Sequence, residues 1–207
     1  MSTAVLGDRA ASAGPGPRAQ ADQGANAGVG LWVFIGVGTT LFSLFIVAYV
    51  MRMSEPDATA IATPWQLWLS TALLLAGSAL MQRGVSAKLA PHQARQLFLA
   101  AGAMALGFIA VQWWAWTEIF GWKVTLSGGP AGSFFFLLTA VHGLHVTGGL
   151  VAWALALRAG GEGQAGAAWR MALCARYWHF LLLVWLALFA TLALITPEVA
   201  SFICGRG

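Results

Sequence analysis

The stretch that decides the fold is GSFFFLLTAVHGLHVTGG, residues 132–149. It contains no Lys, Arg, Asp or Glu, and the apolar character continues on both sides, from Ala131 to Leu157. A transmembrane α-helix needs about 20 predominantly apolar residues to cross about 30 Å of hydrocarbon. Apolar and polar residues do not alternate at every second position, which argues against a transmembrane β-strand. We therefore predict a transmembrane helix over residues 131–157.

Four further apolar runs of similar length lie on either side of this one. They cover residues 31–51, 63–81, 96–117 and 171–195. Inside a bilayer the backbone must satisfy its own hydrogen bonds, so runs of this kind form helices. The connections between the runs are too short to hold a folded extramembrane domain. The sequence thus predicts an all-α integral membrane bundle of five transmembrane helices.

The composition of the whole chain agrees with this interpretation. The 207 residues are 59% hydrophobic and 9% charged, and the mean hydropathy is +0.74. A soluble domain is typically about 25% charged. An ordinary soluble enzyme, a disordered chain and a disulfide scaffold are therefore excluded. The net charge of +4 comes from cations spread along the chain rather than from a basic patch, so we predict no nucleic-acid partner.

A polar tail precedes the membrane domain, which we place at residues 29–207. Residues 1–28 are rich in Ala, Gly, Pro, Gln and Ser without helical or strand periodicity, which predicts a disordered cytoplasmic tail. No apolar segment follows a basic start within this tail, so it is not expected to be a signal peptide.

Cys174 lies near the start of the last apolar run and Cys204 lies beyond its end, so the two are on the order of 45 Å apart along a helix. That separation is too large for a disulfide, so we predict two unpaired thiols.

The distribution of positive charge predicts the orientation in the membrane. The tail and the connections on its side carry eight Lys or Arg residues, and the opposite side carries three. The side with more cations faces the cytoplasm. We therefore predict a cytoplasmic amino terminus and an outside carboxyl terminus. The first set is Arg9, Arg18, Arg83, Lys88, Arg95, Arg158, Arg170 and Arg176, and the second is Arg52, Lys123 and Arg206.

The few polar side chains in or next to the apolar runs are the candidate functional residues, because an ionisable group inside a membrane is costly. His142 and His145 are three residues apart and share one helix face. We predict that the candidates form a structural hydrogen-bond network between helices or contact lipid. They are Gln112, Glu118, His142, His145, Tyr177 and His179.

Haem or metal ligation is the alternative use of these histidines. A shared haem needs two imidazoles at similar depth, but the predicted depths of His145 and His179 differ by roughly 10 Å or more. A zinc or copper site built from His142, His145 and Glu118 lacks a visible complete ligand set. The sequence also shows no nucleophile with a base at hand, no phosphate loop and no carboxylate pair. We predict no catalytic, cofactor-binding or metal-binding residue, and an independent haem- or metal-binding membrane protein stays open as an alternative.

Two segments carry distinctive motifs, GSFFFLLTAVHGLHVTGG at residues 132–149 and YWHF…VW at residues 177–185. They resemble the FF…TG.HG.HV..G pattern and the YWHF-D-VW string of subunit III of haem-copper terminal oxidases, the cytochrome c oxidase subunit III family. The first apolar run matches a family W.F…F…Y pattern more loosely, and Gln112 matches a family glutamine. The resemblance covers residues 31 to about 195 and is to the five-helix bacterial form.

The resemblance implies a multi-pass subunit of the bacterial plasma (inner) membrane that holds no redox metal itself. Such a subunit packs against subunit I and subunit II, binds phospholipid, and stabilises the catalytic subunit, which carries the haem and copper. The complex would be a respiratory oxidase that reduces oxygen and translocates protons. Cytochrome c and quinol both stay open as electron donor. The accessory membrane protein of nitric oxide reductase stays open as an alternative within the family.

The chain departs from the family at three carboxylate positions. A Ser-Glu pair of the first helix aligns with Val37 and Gly38, an acid near the glutamine aligns with Ala115, and the acid of the YWHF-D string aligns with Leu182. A buried carboxylate is costly and is kept for a reason. We therefore predict a structural partner more than a proton-handling subunit.

Overall fold

The computed structural model describes residues 17–58, 63–86, 89–121, 130–158 and 164–205. These residues form six α-helices and, within these ranges, no β-strand, so the predicted all-α class is confirmed for the described part of the chain. The helices are α1 (Pro17–Met53), α2 (Gln66–Ser86), α3 (Pro91–Gly121), α4 (Pro130–Arg158), α5 (Gln164–Leu194) and α6 (Pro197–Ile203).

Four of the described helices are long and apolar enough to cross a membrane, namely Gly24–Met53, Pro91–Gly121, Gly132–Arg158 and Ala168–Leu194. They match the first, third, fourth and fifth predicted spans, and they make the chain a multi-pass membrane protein. Helix α2 matches the second predicted span in position but is less apolar and is not among the four. The fifth crossing therefore stays a prediction.

Helix α1 begins at Pro17, well before the predicted start of the first span at Leu31. Proline is favoured in the first turn of a helix, and the Ala and Gln residues that follow are good helix formers. The helix therefore includes residues 17–28, which the sequence pattern placed in the tail. Residues 1–16 lie outside the described residues, as do Lys88, Lys123 and Arg206, which contribute to the predicted orientation.

The bundle is organised around α5, which packs against α1, α2 and α4, while α2 and α3 form a close pair. Trp178 and Trp185 of α5 are fully buried at its centre. Because lipid tails are as apolar as leucine, helices in a membrane are held together by close packing and hydrogen bonds. Gly77 allows that close packing, since a Cβ at this position would lie 3.4 Å from the backbone oxygen of Ala101 on α3.

Helix α1 lies at the periphery of the bundle. Only 11% of its candidate membrane span is buried, against 44% for that of α5. At its end, Tyr49 and Met53 pack with Ala200 of the short helix α6. Helix α6 begins at an N-cap, Thr196, whose hydroxyl accepts a hydrogen bond from the backbone nitrogen of Val199.

Candidate functional site

His142 lies at the centre of the bundle and is completely buried. Its ring packs against Phe108 of α3 at 5.7 Å and Trp185 of α5 at 5.2 Å between ring centroids. Neither ring nitrogen has a hydrogen-bond partner among the described residues. The imidazole therefore serves here as an aromatic packing element.

Gln112 lies at the same level of the bundle as His142. On α3 it falls one turn from Phe108, which contacts His142, and one turn from Trp116, whose indole donates to Thr139 of α4 at 3.0 Å. Gln112 is buried, and within the described part of the chain its amide also has no hydrogen-bond partner. Two buried polar side chains thus sit on facing helices without being joined.

His145 faces α1 instead of the centre. Its ring packs against Phe34 and Phe42, with ring centroids 5.8 and 5.1 Å away. Its Nδ1 lies 2.8 Å from the carbonyl oxygen of Val141, one turn earlier on α4. Tyr177 of α5 donates its hydroxyl to the backbone carbonyl of His145 at 3.0 Å, which joins α4 to α5.

His179 belongs to a third location, between α5 and α2. Its Nε2 lies 2.8 Å from Oε1 of Gln82, and its Nδ1 pairs with the hydroxyl of Ser78. The sequence did not connect these residues, because Ser78 and Gln82 lie far from His179 along the chain. Ser78 is a hydroxyl beside an imidazole, but it is 3% exposed, so the contact is closed to a substrate and joins two helices.

The predicted set of polar residues is therefore divided among separate locations. His142 and Gln112 lie near each other without a hydrogen bond, whereas Tyr177 bonds to the backbone of His145 and His179 pairs with Ser78. Glu118 is exposed on α3. Among the described residues, no three His, Cys, Asp or Glu side chains are grouped so that they could hold a metal ion, so Glu118 does not complete a site with His142 and His145.

The positions aligned with family carboxylates differ in their surroundings. Gly38 is buried against α5, and a Cβ there would lie 3.0 Å from Cζ of Phe180. Ala115 is 1% exposed, and Leu182 is a partly buried residue packed against the core. A carboxylate at Ala115 would therefore be enclosed by apolar side chains.

Tryptophan indoles supply cross-helix hydrogen bonds that sequence reasoning missed. Trp185 donates to the hydroxyl of Thr71 at 2.9 Å, which joins α5 to α2. Trp153 donates to the carbonyl oxygen of Phe98 at 2.8 Å, which joins α4 to α3. The available signal was that Trp185 lies near the middle of its apolar run and that Trp153 lies within its own run, next to no charged residue.

Two open cavities lie where helix ends meet. One, of about 540 Å³, is lined by residues 54–56 and by Pro197, Glu198 and Ser201 of α6. Beside it, Arg52 binds Asp57 through two hydrogen bonds of 2.7 and 2.6 Å, and this guanidinium lowers the pKa of the Asp57 carboxyl. The hydroxyl of Thr196 likewise lowers the pKa of Glu198.

The second cavity, of about 530 Å³, lies between the amino-terminal parts of α1 and α5. Trp32 and Trp169 line it, together with Arg176. Arg170 stacks over the Trp169 ring, with its guanidinium carbon 5.3 Å from the ring centroid. The groove thus combines apolar walls, indole rings and cations.

Several known proteins similar to this chain are cytochrome c oxidase subunits 3 or probable ones. The chain is 31% identical over 175 residues to cytochrome c oxidase subunit 3 of Bacillus subtilis, a match that covers 79% of this chain and 83% of that protein. It is 30% identical over 156 residues to the probable cytochrome c oxidase subunit 3 of Mycobacterium leprae, covering 73% of this chain and 77% of that protein. The chain belongs to the cytochrome c oxidase subunit III family.

The similarity to other members of the subunit III family is less extensive. The chain is 33% identical over 100 residues to the probable cytochrome c oxidase subunit 3 of Mycobacterium tuberculosis strain H37Rv, and this match spans about half of that relative, 49% of its length. No family model matches the chain. Identities near 30% agree with a divergent member of the subunit III family, as the resemblance of residues 132–149 and 177–185 indicated.

Proposed function

We propose that this chain is the membrane subunit III of a haem-copper terminal oxidase, where it stabilises the catalytic subunit and binds phospholipid. The observation that carries the proposal is the similarity to cytochrome c oxidase subunit 3 over 79% of the chain. The described polar side chains support it, since most of them bond to other helices or to the backbone of this same chain. In this proposal haem and copper reside in the catalytic subunit, and this chain contributes packing surface.

We propose that all five predicted helices cross the bacterial plasma membrane, including α2. Its polar residues Gln66, Ser70 and Ser78 are buried and turn toward the other helices. A polar side chain inside a membrane is tolerated when it faces the bundle interior. The lower apolar content of α2 is therefore compatible with a crossing, with the amino terminus in the cytoplasm and the carboxyl terminus outside.

Phospholipid binding is proposed for the groove between α1 and α5. Trp32 is 64% exposed there, and tryptophan is enriched at the depth of lipid headgroups. Arg176 is exposed beside it and forms no ion pair with any described carboxylate. An arginine at this depth can pair with a lipid phosphate while the groove accepts an acyl chain.

Affinity purification tests the proposed function. The tagged chain is captured from native membranes in a mild detergent, with an unrelated tagged membrane protein as the control. We expect a haem-containing large subunit and oxygen reduction in the captured fraction. A chain that purifies alone and colourless contradicts the proposal, and reduction of nitric oxide in place of oxygen assigns the chain to the nitric oxide reductase alternative.

The same preparation tests the independent haem or metal alternative. That alternative requires a haem absorption band in the isolated chain that disappears in His142→Ala or His179→Ala. We expect no such band, because His142 is enclosed by aromatic rings and His179 is bonded on both ring nitrogens.

A further inference from the structure

His145 has one ring nitrogen whose hydrogen bond is not made within the described residues. Its Nδ1 lies 2.8 Å from the carbonyl oxygen of Val141. A carbonyl only accepts hydrogen bonds, so Nδ1 carries the proton, and Nε2 of the neutral ring is an acceptor. Among the described residues no donor reaches Nε2.

Hydroxyl donors on the segments of α1, α4 and α5 that lie around His145 are already used. Each of them donates to a backbone carbonyl of this chain, at distances between 2.8 and 3.0 Å. These donors are Thr39, Thr40, Thr147 and Tyr177. A rotation that satisfied His145 would therefore break an existing hydrogen bond.

The depth of His145 limits what else could donate. It stands at the midpoint of Gly132–Arg158, roughly 20 Å from either end at about 1.5 Å per residue. Lipid headgroups and bulk water lie outside the hydrocarbon core, which is about 30 Å thick in total. The imidazole is partly exposed, so its surroundings at this depth are acyl chains or another protein chain.

The surface beside His145 has the pattern of a helix-packing interface. Exposed residues recur along α4 at spacings of four and three, the arrangement of positions that face a neighbouring helix. Leu144 is 71% exposed, and a Cβ on Gly148 would meet nothing within 4 Å, so another backbone can approach closely there. We call this set the α4 stripe: Leu137, Leu144, Gly148, Val151 and Leu155.

We propose that a transmembrane helix of another subunit packs on the α4 stripe and donates a hydrogen bond to Nε2 of His145. This inference rests on the proposed function, since it names the face that subunit III presents to its complex. An acyl chain covers the apolar residues equally well, but it cannot donate to the imidazole. A helix with a hydroxyl, amide or indole donor at mid-membrane depth supplies both contacts.

Photo-crosslinking in the otherwise unchanged chain tests the contact. Benzoylphenylalanine is placed at Leu144 of the stripe and, as the control, at Leu183 of α5, which is 66% exposed. Irradiation of native membranes is expected to join position 144 to a membrane protein. Adducts of lipid alone at position 144 would falsify the proposal.

Variants of His145 test the hydrogen bond. His145→Phe keeps a ring between Phe34 and Phe42 but removes the acceptor, and we expect the fraction of partner retained on purification to fall about threefold or more. His145→Gln restores an acceptor and is expected to recover part of the loss. Retention by His145→Phe equal to that of the natural chain overturns the proposal.

A second variant avoids any change at the histidine. Gly148→Leu enters open space in this chain but fills the stripe, so we expect normal membrane levels and reduced partner retention. Gly30→Leu, which is equally open on α1, is the matched control. Equal retention by the two glycine variants argues against docking at the stripe.

The outcomes separate this inference from the proposed function. If a haem-bearing partner is captured and the His145 and Gly148 variants retain it as well as the natural chain does, docking at the α4 stripe is wrong. The proposed function is then unaffected. Crosslinking of position 144, in a manner that depends on His145, to a membrane protein whose purified complex contains no haem defeats the proposed function and supports the docking face.

Discussion

At the scale of single residues, the three intramembrane histidines do different work although they are the same side chain. His142 packs among aromatic rings without a hydrogen bond to a described residue, His145 bonds to its own helix, and His179 bonds to another helix. The free energy lost on substitution should follow these contacts. Replacing a buried polar group that lacks a hydrogen-bond partner breaks no hydrogen bond, so the loss of unfolding free energy is small. Replacing a bonded group breaks its hydrogen bond and also leaves its partner unsatisfied, so the loss is larger.

This difference predicts opposite responses to the same substitution. His142→Phe keeps the ring contacts with Phe108 and Trp185 and is expected to change the unfolding free energy by less than about 1 kcal/mol. His179→Phe loses the contacts with Ser78 and Gln82, and we expect destabilisation by about 1–3 kcal/mol. Thermal unfolding of both variants in one detergent gives the comparison.

The test depends on which of the two variants, His142→Phe or His179→Phe, is more destabilised. If His142→Phe lowers the unfolding free energy more than His179→Phe does, then His142 makes a hydrogen bond in the membrane in addition to its contacts with the described residues. Phenylalanine at His92, which is exposed near the start of α3, controls for adding a ring elsewhere.

At the scale of helices, α3 and α4 meet where a glycine faces a tryptophan. A Cβ on Gly102 would overlap the indole ring of Trp153. The same indole donates to the carbonyl oxygen of Phe98, one turn before Gly102 on α3. The absent side chain thus allows the indole to reach the backbone of the neighbouring helix.

Gly102→Ala is therefore expected to separate α3 from α4 locally. The indole must move, which costs about 1–3 kcal/mol through overpacking and also weakens its hydrogen bond. Gly107→Ala on the same helix is the control. Its Cβ would lie 3.5 Å from a methyl carbon of Leu73, which is an ordinary van der Waals contact. Melting temperatures measured side by side should fall for the first variant and stay nearly constant for the second.

At the scale of the whole molecule, the two cysteines offer a test of orientation. Cys174 is buried, Cys204 is exposed, and both thiols are free. We predict that Cys204 lies outside the cytoplasm. A maleimide that does not cross membranes should then label intact cells through Cys204, because burial shields Cys174.

The labelling experiment has an internal control. Cys204→Ser should abolish the label, and permeabilising the membrane should not be needed for labelling the natural chain. A label that appears only after permeabilisation places the carboxyl terminus in the cytoplasm and reverses the proposed orientation. Since α6 joins α1 through Ala200, Tyr49 and Met53, that result also moves the Arg52–Asp57 pair to the cytoplasmic side.

The helical class and the place of most spans could be predicted from the sequence because the signal is local. Each apolar run must form its own backbone hydrogen bonds in hydrocarbon, whatever its neighbours are. Helix boundaries were less predictable, since α1 continues toward Pro17 through residues that are polar or small but still good helix formers. Whether the second span crosses the membrane is also hard to predict from composition. The polar residues of α2 lower its apolar content, although several of them are buried inside the bundle.

Pairing between helices was the part that local pattern could not supply. The contact of His179 with Ser78 joins residues 101 positions apart, and that of Trp185 with Thr71 joins residues 114 apart. Such contacts depend on which helix is adjacent and on how it is rotated. The carboxylate positions are a further case, since Gly38, Ala115 and Leu182 differ in burial although all three are apolar positions in the sequence.

By itself the sequence determined that this chain is a helical membrane protein of the subunit III type, because apolar length and the motifs at residues 132–149 and 177–185 are properties of consecutive residues. The tertiary structure alone decided that the polar residues are divided among separate locations and that His145, at the midpoint of a candidate membrane span, is partly exposed. The physical reason is that a hydrogen bond requires two groups within about 3 Å, and helix packing sets that distance.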